Sequence, residues 1–306
     1  LIKEKLKPTG KEIAIVGAGP AGLTAAYYLV RLGHAVTVYD AFPEAGGVVR
    51  FGIPQYRLPK SVLQKEVRFI KKLGVNFLFN QRLGQNLSFE TLKNDYDAVY
   101  LAIGAWKDID LNIPGEKAKG VFAGTNLLKE LALGKMPKLG EHVVIIGGGN
   151  VAIDAARSLW RMGKQVTVVY RREKGDMPAN GAEIVESEAE KINYHFLAAP
   201  NEILTDTKGK VRALKVEVMS GGSIDTSGRR RPVSTGKFEE ILCDSVVLAV
   251  GERVESGHLS QQGLAATKDG RLIVDPFNFR TSNPKIYAGG DAVTGPSTAA
   301  EAMGMA

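Results

Sequence analysis

Cysteine is nearly missing from this chain of 306 residues, in which Cys243 stands alone. One thiol cannot form a redox disulfide, and an iron-sulfur cluster normally takes four thiolates, so neither can be completed within these residues. Cys243 lies in Ile241-Leu242-Cys243-Asp244, ahead of an apolar run, where a buried and inert thiol is expected. The four histidines, His34, His142, His195 and His258, show no metal-ligand spacing, and no metal site is predicted. Long hydrophobic runs are lacking too. Glycines and charges interrupt each apolar stretch, and no signal-peptide pattern is seen, so no membrane partner and a cytoplasmic location are expected. Aromatic residues make up only 7%, and no aromatic-basic module accompanies the net charge of +7, which argues against nucleic acid. That charge suits polyanionic nucleotides or docking to an acidic electron carrier. Its densest run, Arg229-Arg230-Arg231, is expected in a Ser/Gly-rich loop, either solvated or engaged in docking.

Glycine, in contrast, is plentiful at 35 residues, and its placement is informative. Gly17-Ala18-Gly19-Pro20-Ala21-Gly22 follows the apolar run 13–16 and opens a helical stretch reaching Leu32; Asp40 closes the next strand-like run, 36–39. Gly147-Gly148-Gly149-Asn150-Val151-Ala152 repeats the pattern 130 residues later, between the apolar run 143–146 and a helical stretch ending near Gly163. Such glycines permit a tight turn, close approach of backbone to a pyrophosphate and close helix–strand packing, while the helix N-terminus offers N–H groups and partial positive charge. The copies differ where a ribose would be read. Asp40 can accept hydrogen bonds from ribose hydroxyls, whereas the same offset lands on Tyr170, followed by Arg171 and Arg172. A carboxylate repels a 2'-phosphate and guanidinium groups bind one, so the second copy favours NADPH over NADH unless the two arginines are simply solvated. Two nucleotides of different ribose chemistry in one chain point to electron transfer between them.

Length gives a prior of two domains. A Gly/Pro-rich stretch, 43–59, is too long for an ordinary turn and is a candidate functional loop. Leu63, Val67 and Ile70 recur at helical spacing, with Gly74 where a helix would stop. Both halves later carry an apolar strand preceded by an Asp (Asp97, Asp244) and closed by Ala-x-Gly: Ala102-Ile103-Gly104 and Ala249-Val250-Gly251. The repetition reads as duplication of a nucleotide-binding domain. A connecting helix is expected at 126–135, a hairpin turn at Asp269-Gly270, and a strand at 272–274. The tail beyond Gly251 is too short for a third domain and is expected to return to the first.

At this point the residues resemble a family. Gly46-Gly47-Val48-Val49-Arg50-Phe51-Gly52-Ile53-Pro54-Gln55-Tyr56-Arg57-Leu58-Pro59, Ile113-Pro114-Gly115-Glu116, the second glycine loop, Tyr170-Arg171-Arg172 with Met177-Pro178-Ala179, the string 227–232 and the string 288–302 are similar to the glutamate synthase small (beta) subunit. The FAD- and NADPH-binding portions of dihydropyrimidine dehydrogenase and of electron-bifurcating ferredoxin-NADP oxidoreductases are similar as well. The resemblance implies an α/β flavoprotein of disulfide-reductase-like architecture with two Rossmann-like domains, FAD in residues 1–118 plus 253–306 and NAD(P)H in 119–252. It places FAD against Gly17, Gly19, Pro20, Ala21, Gly22, Asp40, Ala41, Gly46, Gly47, Val48, Arg50, Gly52, Ile53, Arg57 and Gly104. Asp291, after Gly290, would meet the ribityl chain or else serve as a helix cap. Ser297 and Thr298 would start a helix facing the flavin pyrimidine edge, where reduction adds negative charge. NADPH would lie against Gly147, Gly149, Asn150, Val151, Ala152, Arg171, Arg172 and Gly251.

Hydride transfer from nicotinamide to flavin needs close stacking and no general base, so no catalytic side chain is predicted. Relatives carry an N-terminal iron-sulfur domain that these residues lack, the chain begins at Leu1 without methionine, and it stops at Ala306 where relatives continue the helix. A piece of a longer protein is therefore expected, with an iron-sulfur or flavin-containing electron acceptor outside it. The alternatives are a self-contained NADPH oxidoreductase for a small acceptor, and a nucleotide-binding module without turnover; the direction of electron flow stays open.

Overall fold

The computed structural model describes residues 6–226 and 228–306. Part of the polar lead-in, residues 1–5, and Ser227 at the head of the 227–232 string lie outside the described residues. Along the chain come β1 (Glu12–Val16), α1 (Pro20–Arg31), β2 (Ala35–Tyr39), α2 (Gly47–Phe51), α3 (Lys60–Lys72), β3 (Asn76–Leu78), α4 (Phe89–Asp95), β4 (Ala98–Leu101) and the two-residue β5 (Lys107–Asp108). Next are β6 (Val121–Ala123), α5 (Gly124–Ala132), β7 (His142–Ile146), α6 (Asn150–Arg161), β8 (Gln165–Tyr170), α7 (Gly181–Ala189), β9 (Asn193–Phe196), β10 (Ala198–Thr205), β11 (Val211–Ile224), β12 (Arg230–Leu242) and β13 (Ser245–Leu248). The chain closes with β14 (Glu252–Arg253), α8 (Gly257–Ser260), β15 (Ile286–Ala288), α9 (Asp291–Thr294) and α10 (Ala299–Gly304).

These elements form two compact units, Leu1–Lys107 with Glu252–Ala306, and Asp108–Gly251. The first unit holds a five-stranded sheet in the order β15-β4-β1-β2-β3, and the second a five-stranded sheet in the order β6-β13-β7-β8-β9. All pairings in both are parallel. The short apolar runs at 13–16 and 143–146 are buried throughout, as strands covered on both faces must be; in the second unit Val143 and Ile145 meet α5 and α6, while Val144 and Ile146 meet β11. The tail returns through β15, which pairs with β4 and supplies Ile286 and Ala288 to the core. Leu111, Ile113 and Ala118 lie in the second unit and pack against its core around Val144, Val211 and Leu214.

Local signals explain several elements. Pro20 sits at N1 of α1, where its missing N–H costs nothing. On α3 the predicted face is real, with Ile70 buried and Val67 packed beside it, and Gly74 (φ 103°) follows its end. The connecting helix is α5, which starts two residues and ends three residues earlier than predicted. Residues 272–274 do not form the expected strand. Leu272 makes a single bridge to Ala266, and the N–H groups of Leu272 and Ile273 go to Ala292 and Ala265 instead. The largest feature without a sequence prediction is the antiparallel sheet β10-β11-β12 of the second unit. Arg230 and Arg231 open β12, so only Arg229 of the basic run lies in the connecting turn, which Asp225 N–H to Arg229 O (2.8 Å) and Gly228 N–H to Asp225 O (2.9 Å) close.

Candidate functional site

In the first unit three segments converge on the N-terminus of α1. Gly17 has φ 109°, and a Cβ there would stand 2.1 Å from the Ala102 carbonyl oxygen, so the first glycine packs directly on the end of β4. Gly19 caps α1 without any side-chain bond, leaving the first N–H groups of the helix for an anionic ligand. Gly47 (φ 53°) approaches Gly19 so closely that a Cβ on it would lie 2.7 Å from the Gly19 Cα, and Gly46 N–H donates to Ala18 O at 2.8 Å. Gly290 (φ 62°) closes the third side against Ala21. Gly22 is required for a different reason, since its Cβ would meet the Gly17 carbonyl oxygen at 1.8 Å. Bare backbone on every side is the cradle that a pyrophosphate needs.

Asp40 follows β2 and is buried. Its Oδ2 accepts the Ala18 N–H at 2.6 Å and its Oδ1 the Phe42 N–H at 2.8 Å, which fixes both the glycine loop and its own turn. Burial lifts its carboxyl above the ordinary value, opposed by those two N–H groups and by the Arg82 charge. Each oxygen keeps a further lone pair for a sugar hydroxyl. Ala41 is half-buried beside it.

The Gly/Pro-rich stretch folds as α2 and a turn. Val48 O accepts from the Gly52 N–H (2.7 Å) and the Ile53 N–H (3.0 Å), and Lys60 Nζ donates to Val49 O at 3.0 Å and to Ile53 O. Arg50 is buried and paired with Glu44. The Arg57 N–H donates to Pro54 O at 3.1 Å. Gly104 takes φ 71° at the end of the segment after β4. Asp291 begins α9; burial raises its carboxyl, opposed by Ser297, whose Oγ donates at 3.1 Å. Thr298 is the N-cap of α10, so the expected helix start is present, with its hydroxyl accepting the Glu301 N–H and its own N–H donating to Glu301 Oε2 at 2.9 Å.

The second unit repeats this geometry with different side chains. Gly147 (φ 142°) packs on Ala249 as Gly17 packs on Ala102, since a Cβ would again stand 2.1 Å from the carbonyl oxygen. This is the physical basis of the repeated Ala-x-Gly. Gly149 caps α6 with no side-chain bond, and open space surrounds it. Ala152 replaces the third glycine without strain and is fully buried, and Val151 packs against the same core. Asn150 Oδ1 accepts the Asn180 N–H at 2.9 Å, and Asn180 in turn caps α7. Gly251 (φ 124°) accepts the Ile109 N–H at 3.0 Å.

Where Asp40 grips Ala18 in the first unit, Tyr170 lies flat on Gly148 in the second. A Cβ on Gly148 would be 2.6 Å from the Tyr170 ring. The tyrosine is buried, and its hydroxyl donates to Asp176 O at 2.8 Å. The loop is thus held by a ring instead of a carboxylate. Tyr170→Phe should remove this one hydrogen bond and cost about 1 kcal/mol in urea unfolding; no loss would show that ring packing alone holds the loop. Arg171 is exposed and makes no ion pair or hydrogen bond among the described residues, whereas Arg172 is buried and paired with Asp225 at 2.8 Å. Sequence reasoning missed Gly148 and Asp225: neither belongs to a spacing pattern, and each matters only through a partner distant in sequence.

Cys243 is buried, and that burial, with the nearby Asp244 charge, pushes its thiol up to about 12. The native chain should therefore resist a soluble thiol reagent at about pH 8 and release one reactive thiol on denaturation. Rapid reaction of the native protein would contradict this. Among the described residues no group of three or more His, Cys, Asp or Glu could hold a metal, and no helix is long and apolar enough to cross a membrane.

Comparison with known proteins agrees with this geometry. The sequence profile of pyridine nucleotide-disulphide oxidoreductases matches residues 11–306. The chain is 42% identical over 300 residues to the beta subunit of the NADP(+)-dependent formate dehydrogenase of Moorella thermoacetica, covering 96% of this chain and 42% of that protein. It is 35% identical to the Escherichia coli glutamate synthase [NADPH] small chain, covering 95% and 65%. The beta subunit of NADPH-Fe(3+) oxidoreductase from Geobacter sulfurreducens is 34% identical, covering 97% and 48%. The chain thus spans less than two thirds of each of these relatives. Among solved structures, Mycobacterium tuberculosis FprA in complex with NADPH superimposes with a TM-score of 0.81 at 24% identity, covering 97% of this chain and 82% of that one. Thioredoxin reductase of T. acidophilum gives 0.71 at 23%, covering 96% and 95%. Two parallel-sheet units with a glycine loop apiece, matched along nearly the whole length, make this chain a member of the pyridine nucleotide-disulphide oxidoreductase family.

Proposed function

We propose that the first unit holds FAD, that the second holds NADPH, and that the chain serves as an electron-input module for an iron-sulfur or flavin-containing partner. The observation that carries this is the divergence of two loops whose first glycines pack alike on a strand end: Asp40 on Ala18 in one, Tyr170 on Gly148 followed by an Arg171 without hydrogen bond or ion pair among the described residues in the other. The cradles fit the groups. Both twelve-residue helices α1 and α6 begin at a glycine with no capping side chain, and a Cβ at Gly17, Gly22 or Gly147 would meet loop or strand-end backbone. Bound FAD supplies the acceptor for a hydride and the means to release electrons singly.

The chain's own residues position and select. The α1 N-terminus and the bare backbone at Gly19 and Gly47 receive the pyrophosphate, Asp40 receives the adenosine ribose, and Asp291 receives a polyhydroxyl chain. The α6 N-terminus receives the second pyrophosphate, and the segment after β8 reads the 2'-phosphate. No side chain is required to take a proton. The family name includes disulphide, yet the single buried Cys243 offers no such chemistry within these residues. The multi-subunit role draws on the relatives, which are named as beta subunits and a small chain.

Two measurements test this reading. Released flavin should be FAD at one per chain, and Asp40→Ala, which strips two charge-assisted hydrogen bonds from the loop, should weaken FAD retention by about two orders of magnitude. Recovery of FMN, or unchanged retention in Asp40→Ala, would refute the assignment. Steady NADPH turnover should require a one-electron protein acceptor; equal turnover with a small quinone alone would favour a self-contained oxidoreductase.

A further inference from the structure

Thirteen residues long, α3 fully buries Ile70 alone, with Leu63 and Val67 half-buried beside it. Val62 and Phe69 on its outer side are 49% and 51% exposed. With Lys65 and Lys72 they follow i, i+3, i+7 and i+10, a single stripe of the helix. A solvated stripe would carry polar side chains at both apolar places. The apolar patch continues onto α1, where the Tyr27 ring lies 6.2 Å from that of Phe69 and 5.0 Å from that of the exposed Tyr28. Around the patch the charge has one sign. Lys65, Arg68, Lys71 and Lys72 are exposed against the single acid Glu66, and among the described residues none of the four makes an ion pair. Arg68 Nε donates only to Gln64 O, at 3.2 Å. The first turn of α3 rests on the loop proposed to line the flavin: a Cβ on Gly46 would stand 2.4 Å from Leu63 Cδ2, and Lys60 Nζ donates to Val49 O and Ile53 O. A molecule seated on α3 is thus separated from that loop by the thickness of one helix, about 10–12 Å.

We propose that the outer face of α3, with Tyr28 of α1, docks a small acidic iron-sulfur protein that takes electrons one at a time. This rests on the electron-input reading. Val62, Phe69 and Tyr28 supply the apolar centre of such a contact, and the four cations supply its rim, which steers an acidic carrier to the face and rejects a basic one. Two copies of this chain do not fit, because two α3 faces would set these cations against each other. The electrons balance over two dockings: NADPH yields NADP+, a proton and two electrons, and each docked cluster accepts one.

The test is NADPH-driven reduction of cytochrome c by the FAD-loaded chain, with a [4Fe–4S] ferredoxin of acidic surface as mediator. Cytochrome c is basic and reports each electron the ferredoxin delivers. Lys65→Glu combined with Lys72→Glu should raise the KM for ferredoxin by roughly tenfold or more at low ionic strength, and Phe69→Ser by about fivefold. Added salt should raise the KM of the unsubstituted chain and leave that of the double variant little changed. Bleaching of the flavin by NADPH should be the same in all. Lys135→Glu combined with Lys138→Glu, at exposed places after α5, alters the net charge equally and should change the KM by less than about threefold. A ferredoxin KM unaltered by the α3 substitutions, or raised equally by the control pair, would overturn the docking face and leave the electron-input reading standing. A flavin that NADPH bleaches but that passes nothing to ferredoxin would overturn that reading, and this proposal with it. Co-sedimentation with phosphatidylglycerol vesicles, abolished by Lys65→Glu with Lys72→Glu while the ferredoxin KM holds, would assign the face to a membrane surface and overturn the proposal as well.

Discussion

Gly22→Ala should empty the first unit of its nucleotide. The new methyl would lie 1.8 Å from the Gly17 carbonyl oxygen and 3.2 Å from Ile15 Cγ2. Neither neighbour has room to retreat. Gly17 is tied to Tyr39 O through its N–H at 2.7 Å and abuts the Ala102 carbonyl oxygen, while Ile15 is fully buried. The loop must therefore open, at an overpacking cost of about 1–3 kcal/mol, and α1 no longer presents its N–H groups to the cradle. FAD retention after gel filtration should fall by about two orders of magnitude or more. In the second copy Ala152 already occupies the matching place, so Ala152→Gly should only remove a buried methyl and lower helix propensity, about 2 kcal/mol together. It should leave NADPH affinity within roughly tenfold. Retention of FAD by Gly22→Ala would show that the first loop does not hold the pyrophosphate.

Arg157→Leu should strongly destabilise the second unit. Arg157 is 4% exposed on α6 and holds three carboxylates of α7 and its end: Glu183, Glu190 at 2.8 Å and Glu186 at 3.5 Å. Arg161 adds a bond to Glu190. Removing the arginine takes from Glu183 and Glu190, 17% and 13% exposed, the buried guanidinium they share, and leaves Glu190 its bonds to Arg161, at a cost of about 3 kcal/mol. The pH dependence has a definite sign. The Arg157 hydrogen bonds hold the Glu190 carboxyl below its ordinary value, so the stabilisation is present above the unfolded carboxyl's pKa and is lost as pH falls through the folded one. Urea unfolding of Arg157→Leu should thus show a large loss near neutrality and a shallower decline on acidification. A parallel decline in both proteins would contradict the assignment of that acid sensitivity to this cluster.

How far the sequence reaches is visible at particular residues. Gly17, Gly147, Asp40 and the two Ala-x-Gly strings are legible because each meets a constraint that a single residue type satisfies: positive φ, bare backbone, or a carboxylate at a strand end. The parallel strands are legible because burial on both faces leaves unbroken apolar runs. The β11–β12 hairpin is not, since β12 is exposed along nearly its whole length and shows no two-residue alternation. Strand 272–274 was read from composition, while in the fold its N–H groups turn to Ala292 and Ala265. The difference between Arg171 and Arg172 is likewise invisible in sequence, because it depends on Asp225, more than fifty residues away. The replacement of an aspartate grip by a tyrosine ring was legible as a substitution; its consequence, Gly148 beneath the ring, required the structure.

The central claim is that one chain joins a resident flavin to a donor marked by a 2'-phosphate. Anaerobic mixing of FAD-loaded protein with one equivalent of NADPH, and separately of NADH, tests it most directly. NADPH should bleach the visible flavin absorbance at a much lower concentration than NADH, and Arg171→Gln should narrow that gap. No bleaching by either nucleotide would contradict hydride transfer in this chain, and equal bleaching by both would contradict the reading of the phosphate.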